Sequence, residues 1–119
     1  MKKILVVDDS PTMRKLMTDA LEGKGYQLIT ATDGEDALQK AAQELPDLVL
    51  LDVVMPGKNG FQVCRQLKTD AATKHIKVIM VTSKDQKSDR FWGLKQGADA
   101  YVTKPFEPAE LLQNVATCL

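Results

Sequence analysis

Three carboxylates, a hydroxyl and an amine stand directly after apolar runs in this 119-residue chain. Asp8 and Asp9 follow Ile4-Leu5-Val6-Val7, Asp52 follows Leu48-Val49-Leu50-Leu51, and Thr82 follows Lys77-Val78-Ile79-Met80-Val81. Lys104 follows the shorter Asp99-Ala100-Tyr101-Val102-Thr103. Brought together, three acids repel one another unless a cation neutralises them. Oxygen ligands with no His or Cys nearby select a hard ion, magnesium before zinc. Such an ion keeps several waters and bridges to phosphate oxygens. With Lys104 and Thr82 beside a nucleophilic Asp52, the set would make a phosphoryl-transfer site. Singly, each residue has a plainer role. Asp8 and Asp9 could be acids favoured near a helix start, Asp52 a strand-end cap, Thr82 a strand former and Lys104 a solvated charge. Only a fold that gathers all five decides for chemistry.

The elements between them supply such a fold. Leu48–Leu51, bounded by Pro46-Asp47 and by the Pro56-Gly57 turn, reads as a strand buried on both faces. Ser10 caps a first helix with Pro11 at its first position, and Met13, Leu16, Met17, Ala20 and Leu21 form its apolar face before Gly23 and Gly25 stop it. A more polar strand, Gln27–Thr32, precedes Asp33, which caps a second helix with Ala37, Leu38, Ala41 and Ala42 inward. A third helix starts near Asn59-Gly60 and carries Phe61, Val63, Cys64 and Leu67. A fourth runs from about Gln86 to Gln96, where the helical spacing turns Phe91 and Leu94 to the sheet and Trp92 away from them. Trp92 either packs between helices or anchors a partner. A last helix opens at Glu107-Pro108 with Leu111, Leu112 and Val115.

Five strands alternating with five helices predict a single α/β domain over residues 1–119, with a parallel sheet, helices on both faces and right-handed crossovers. Strands one, three and four are the most apolar and belong in the centre; two and five belong at the edges. That agrees with the doubly wound, flavodoxin-like order 2-1-3-4-5. In such a sheet every C-terminal strand end lies on one rim, and ligands bind at the switch point between strands one and three. Asp8, Asp9, Asp52, Thr82 and Lys104 all leave that rim.

Composition narrows the class. Sixteen basic and sixteen acidic residues cancel, so nothing suggests a nucleic-acid footprint or a polybasic membrane surface. Cys64 and Cys118 lack ligand spacing and fit free thiols on helices in a reducing compartment. His75 is alone and reads as a surface or loop residue. No run approaches the ~18 apolar residues of a membrane span, and Met1-Lys2-Lys3 precedes too short an apolar stretch for a signal sequence. The expectation is a soluble cytoplasmic monomer.

These motifs carry a resemblance. Val6-Val7-Asp8-Asp9-Ser10, Leu51-Asp52-Val53-Val54-Met55-Pro56 with Gly60, Val81-Thr82-Ser83, Gly97-Ala98-Asp99 and Tyr101-Val102-Thr103-Lys104-Pro105-Phe106 resemble, in family order, a receiver domain of the two-component response regulators, of the single-domain CheY-like type. The resemblance implies that Asp52 accepts a phosphoryl group from a CheA-like histidine kinase. It implies that Asp9, Asp52 and the Val54 carbonyl ligate Mg²⁺, with Asp8 acting partly through water. It makes Thr82 and Tyr101 the moving pair, Lys104 the partner of a phosphoryl oxygen, and the Lys104-Pro105 bond cis. The surface of helix four, strand five and helix five would then meet a protein target, or the chain would serve as a phosphate sink. Residues Lys84–Gly93 further resemble the PilH-like regulators of twitching motility and phototaxis. Val54 and Lys84 fall at variable positions flanking the acceptor; an apolar Val54 offers no hydrogen bond to an attacking water and predicts slow phosphoryl loss.

Other readings fit less well. A Mg²⁺-dependent aspartate-nucleophile phosphatase of the haloacid dehalogenase kind uses the same groups, but places its nucleophile after the first strand in an Asp-x-Asp motif. Here Asp52 ends the third strand and Val54 stands second after it. A flavodoxin-type cofactor binder needs a hydroxyl- and glycine-rich loop where this chain has Asp8-Asp9-Ser10-Pro11. An interaction module independent of phosphorylation would not need the full set of acids, Thr and Lys.

Overall fold

The four residues of the central strand set the geometry of the rest. In a computed structural model that describes residues 1–119, β3 (Leu48–Leu51) is fully buried along its length. It pairs in parallel with β1 (Lys2–Val7) on one side and β4 (Lys77–Thr82) on the other. The edges are β2 (Tyr26–Ala31), beside β1, and β5 (Ala100–Thr103), beside β4. The order is therefore β2-β1-β3-β4-β5, with the three most apolar strands in the centre as their grading suggests.

Side chains alternate across a strand, and both faces of this sheet are covered. Leu5, Val7, Val49, Leu51, Val78 and Met80 face α2 (Gly34–Glu44) and α3 (Gly60–Thr69), packing with Ala37, Ala41, Val63, Cys64 and Leu67. Ile4, Val6, Leu48, Leu50, Ile79 and Val81 face α1 (Pro11–Leu21) and α5 (Pro108–Cys118), packing with Met17, Leu21, Leu111 and Val115. Double coverage explains why these strands read as unbroken apolar runs. The remaining helix, α4 (Lys87–Lys95), lies over β5.

The caps form as the sequence indicates. Ser10 Oγ accepts from the Met13 N–H at 3.2 Å and Asp33 Oδ1 from the Asp36 N–H at 2.9 Å. Asn59 and Gln62 make a reciprocal capping box. The two cysteines are free thiols on α3 and α5, and His75 is exposed in a loop.

Several apolar positions depart from expectation. Phe91 and Leu94 do not face the sheet; they are 64% and 48% exposed, and Gly93 is the one buried residue of α4. The reason is steric. The Tyr101 ring fills the space under the helix, and a Cβ on Gly93 would stand 3.0 Å from it, so a side chain there would have to push the ring aside. Trp92 is half exposed, in a groove with Arg65, Thr69, Lys95 and Gln96. Leu16 and Ala42 are also exposed on the outer sides of α1 and α2. The second strand runs one residue earlier than its composition suggests, from Tyr26 to Ala31.

Candidate functional site

Four of the five strands, β1, β3, β4 and β5, deliver parts of the site to the same rim. Where β1 ends, Asp8 turns into the protein and is 1% exposed, while Asp9 stays exposed. Every acceptor of Asp8 is engaged. Oδ1 accepts from the Ser10 N–H at 2.9 Å, Oδ2 from Lys104 Nζ at 2.6 Å, and the backbone carbonyl from Arg14 Nη1 at 2.7 Å.

From β3 comes Asp52, whose N–H still donates to the Val7 carbonyl at 3.2 Å, so the ladder holds its backbone. Its Oδ2 accepts from Lys104 Nζ at 3.1 Å and its Oδ1 from the Val54 N–H at 3.3 Å. Below it, the first residue of α3 touches the strand end. A Cβ on Gly60 would lie 2.2 Å from the Asp52 carbonyl oxygen, backbone that cannot yield, and the Gly60 N–H donates to Val53 O at 2.9 Å. Glycine at this point brings α3 against the loop that carries the carboxylate.

Thr82, at the end of β4, is fully buried, and its Oγ1 accepts from the Lys84 N–H at 3.3 Å. The Lys104 N–H donates to the Thr82 carbonyl at 2.9 Å, extending β5 to the amine, and the Lys104-Pro105 bond is cis as the resemblance implies. Tyr101 is buried, with its hydroxyl donating to the Lys84 carbonyl at 2.6 Å.

Charge governs the crevice. Lys104 Nζ bridges two carboxylates that are 96 and 52 residues away in sequence. Burial pushes the Asp8 carboxyl above its usual range, more than the Lys104 and Ser10 hydrogen bonds lower it, and the Asp52 charge adds to the rise. For Lys104, burial works to lower the amine, but the Asp8 hydrogen bond and the Asp52 charge and hydrogen bond together leave it raised. One lysine thus shares its charge between two acids and does not neutralise the cluster.

Carboxylate oxygens of Asp8, Asp9 and Asp52 all lie within 4.8 Å of one another. The donor set is oxygen alone, two acids buried and one exposed, and it fits a hard divalent cation. The Val54 side chain is half exposed and adds no donor beyond its backbone. Beside Lys104, Met13, Leu16, Pro105, Phe106 and Pro108 line a groove of about 420 Å³, which accounts for the exposed Leu16.

The structure therefore brings Asp8, Asp9, Asp52 and Lys104 together and sets Thr82 at the adjoining strand end. Two arginines were not foreseen. Arg14 caps the Asp8 carbonyl, and Arg90 of α4 donates to the Tyr101 carbonyl at 3.1 Å while lying 5.1 Å from its ring centroid. Arginines on amphipathic helices read as solvated charges, and no local signal marks either one.

Comparisons with known proteins agree with this arrangement. Residues 4–116 match the model of the response regulator receiver domain. The chain is 50% identical over 119 residues to protein PilH of Pseudomonas aeruginosa, covering all of this chain and 98% of that one. It is 47% identical over 118 residues to the alkaline phosphatase synthesis transcriptional regulatory protein PhoP of Bacillus subtilis, covering 99% of this chain and 48% of that protein. Among solved structures, Vibrio cholerae chemotaxis protein CheY4 superposes with a TM-score of 0.93 at 33% identity, covering 100% of this chain and 99% of that one. With strand order, rim chemistry and sequence all in accord, this chain belongs to the response regulator receiver domains.

Proposed function

We propose that Asp52 is the phospho-acceptor of a two-component phosphorelay and that its phosphorylation resets the surface formed by α4, β5 and α5. The observation that carries this reading is the Lys104 amine bonded at once to Asp8 and Asp52, which ties the ends of three strands into one charged crevice. The phosphodonor is a histidine kinase of the chemotaxis type, and the groove between α1 and Pro105-Phe106 suits an apolar surface docking beside the acceptor.

In the transfer, an Asp52 carboxylate oxygen forms a bond to phosphorus as the bond to the donor's nitrogen breaks, and the electron pair leaves with the donor imidazole. Asp8, Asp9, Asp52 and the Val54 carbonyl would hold Mg²⁺. When bound, that ion supplies charge neutralisation at the phosphoryl oxygens. Lys104 passes from a bond with Asp52 to one with a phosphoryl oxygen, and the Thr82 hydroxyl donates to another. The backbone of Lys84 links this event to the aromatic: its N–H donates to Thr82 Oγ1 and its carbonyl accepts from the Tyr101 hydroxyl. Thr82 and Tyr101 therefore move together.

The magnitudes suffice for a substantial shift of the equilibrium, with full inversion reached only at the top of the range. Charge-assisted hydrogen bonds contribute about 1.5–3 kcal/mol each, so two supply about 3–6 kcal/mol. Inverting a 1:99 equilibrium takes about 5.5 kcal/mol. The reading makes the protein stoichiometric, without turnover beyond its own phosphorylation and hydrolysis.

Incubation with acetyl phosphate and Mg²⁺ tests it by intact mass. The parent should gain one phosphoryl group and lose it with time, whereas Asp52→Asn should gain none. Sustained turnover of a generic phosphomonoester would instead support the phosphatase reading.

A further inference from the structure

Trp92 takes no part in the acidic rim, yet it is the one tryptophan of the chain and stands 49% exposed on α4. It sits in a groove of about 340 Å³ between two helices. Arg65 and Thr69 of α3 form one wall, and Trp92, Lys95 and Gln96 form the other. The spacing is helical on both walls, i and i+4 on α3 and i, i+3 and i+4 on α4, so each set shares one face. Where α4 ends the two helices are joined, the Cys64 thiol donating to the Gln96 carbonyl at 3.5 Å. All of these residues belong to the second halves of their helices, whose first residues lie toward the acidic rim. The groove therefore opens away from Asp52, on the side of α4 that faces α3.

Both cations of this groove lack a counterion. No ion pair of the chain includes Arg65 or Lys95. Lys95 Nζ stands 5.9 Å from the Phe91 ring centroid, a contact that leaves its charge unneutralised. The acids nearest in sequence are engaged elsewhere. Asp70 Oδ1 accepts from the Ala72 N–H at 2.9 Å, and Asp99 Oδ2 from Lys68 Nζ at 2.9 Å and the Val78 N–H at 2.8 Å. Two unpaired positive charges thus flank an indole half open to solvent, and Trp and Arg are residues that carry much of the binding energy at protein interfaces. The complement is a pair of carboxylates with an apolar side chain between them. A polynucleotide fits less well, because two cations on a chain of zero net charge offer few phosphate contacts.

We propose that the groove between α3 and α4 is a docking site for an acidic segment of another protein. Trp92 packs against an apolar side chain of that segment, and Arg65 and Lys95 meet carboxylates on either side of it. Recognition by exposed charge sets partner choice and encounter rate more than raw affinity. The site requires no phosphoryl group on Asp52. It is also separate from the surface of α4, β5 and α5 and from the groove beside Lys104.

The test is fluorescence anisotropy of the full chain with a labelled helical peptide that carries a leucine stripe flanked by glutamates. The same peptide with glutamine or lysine in place of glutamate is the comparison. Trp92, as the sole tryptophan, reports the contact through its own emission. The glutamate peptide should bind saturably, shift that emission to shorter wavelength and weaken as salt rises. Arg65→Gln and Lys95→Gln should each weaken it about two- to five-fold, the effect of losing one exposed charge pair. Trp92→Ala should weaken it about thirty-fold, as loss of an interface anchor does. The double reversal Arg65→Glu with Lys95→Glu should prefer the lysine peptide. Both side chains are exposed, so these charge variants decide the matter should Trp92→Ala lose its fold. Equal binding of the three peptides, no binding at about millimolar peptide, or unchanged affinity in the double reversal overturns the proposal. Tighter binding of an oligodeoxythymidine would make the groove a nucleic-acid site, and a Trp92 shift that follows protein concentration without peptide would make it a contact between copies. Either result also overturns it. Acetyl phosphate labelling should be equal in all variants, and its absence from the parent would refute the phosphoryl-acceptor reading alone.

Discussion

Lys104 carries a single charge into a crevice with two buried carboxylates, and it does so on a side chain that is only 14% exposed. Deleting one member of a buried ionic group leaves its partners uncompensated, at a typical cost of 3–5 kcal/mol. Asp8 can offset part of that cost by taking up a proton, because burial already raises its pKa. Lys104→Met should therefore lose about 2–3 kcal/mol of stability in metal-free urea unfolding at neutral pH, and saturating Mg²⁺ should restore much of it. The sign of the pH dependence follows from the raised lysine: its contribution is complete below the ordinary amine range and disappears as alkaline pH strips the folded-state proton. At this scale the sequence is informative wherever a polar residue ends an apolar run, which is how Asp8, Asp9, Asp52, Thr82 and Lys104 stand out. Arg14 and Arg90 escape that logic, since each acts on a backbone carbonyl supplied by another element.

Among the elements, strands, caps and the inward faces of α1, α2, α3 and α5 were legible, and the phase of α4 was not. Ser10, Asp33 and Asn59 announce helix starts through local hydrogen bonding, which no tertiary contact needs to correct. In α4, apolar residues at 91, 92 and 94 spread over more than one face, so spacing alone cannot say which face turns inward. The answer came from a ring on β5. Helix α2 offers a different lesson at its C-cap, where Leu45 adopts φ 45° and is half exposed. A branched side chain in the left-handed region costs about 1–2 kcal/mol, and glycine at such a cap removes the penalty. Leu45 buries little, so Leu45→Gly should raise the unfolding free energy by about 0.5–1 kcal/mol in urea titration, against the usual direction of Leu→Gly changes. Labelling of Asp52 should not change, because the substitution lies at the opposite end of α2 from the acidic rim.

For the molecule as a whole, the sheet separates tasks: a dry, doubly covered interior, and one rim that concentrates charge on a chain of zero net charge. Any cation that binds only the folded rim must stabilise the entire domain, by about 2.7 kcal/mol at a hundred times its dissociation constant. Mg²⁺ should therefore raise the thermal midpoint of the parent. Asp9→Asn should abolish most of that rise while barely affecting metal-free stability, because Asp9 is exposed. Calorimetry with and without the ion separates the two effects. The parallel, doubly covered architecture was readable from strand and helix alternation, and the apolar grading of the strands agreed with the doubly wound order 2-1-3-4-5.

Gly93 is the sole residue that α4 commits to the interior, whereas α3 commits four and α2 three. Little apolar surface must be uncovered to lift that helix, so it should open by itself, without the rest of the domain. Amide hydrogen exchange would register this as backbone protons of residues 90–95 trading with deuterium orders of magnitude faster than those of residues 63–67. A signalling surface that loosens so cheaply lets a modest chemical event at the far rim remodel it while the sheet beneath stays intact.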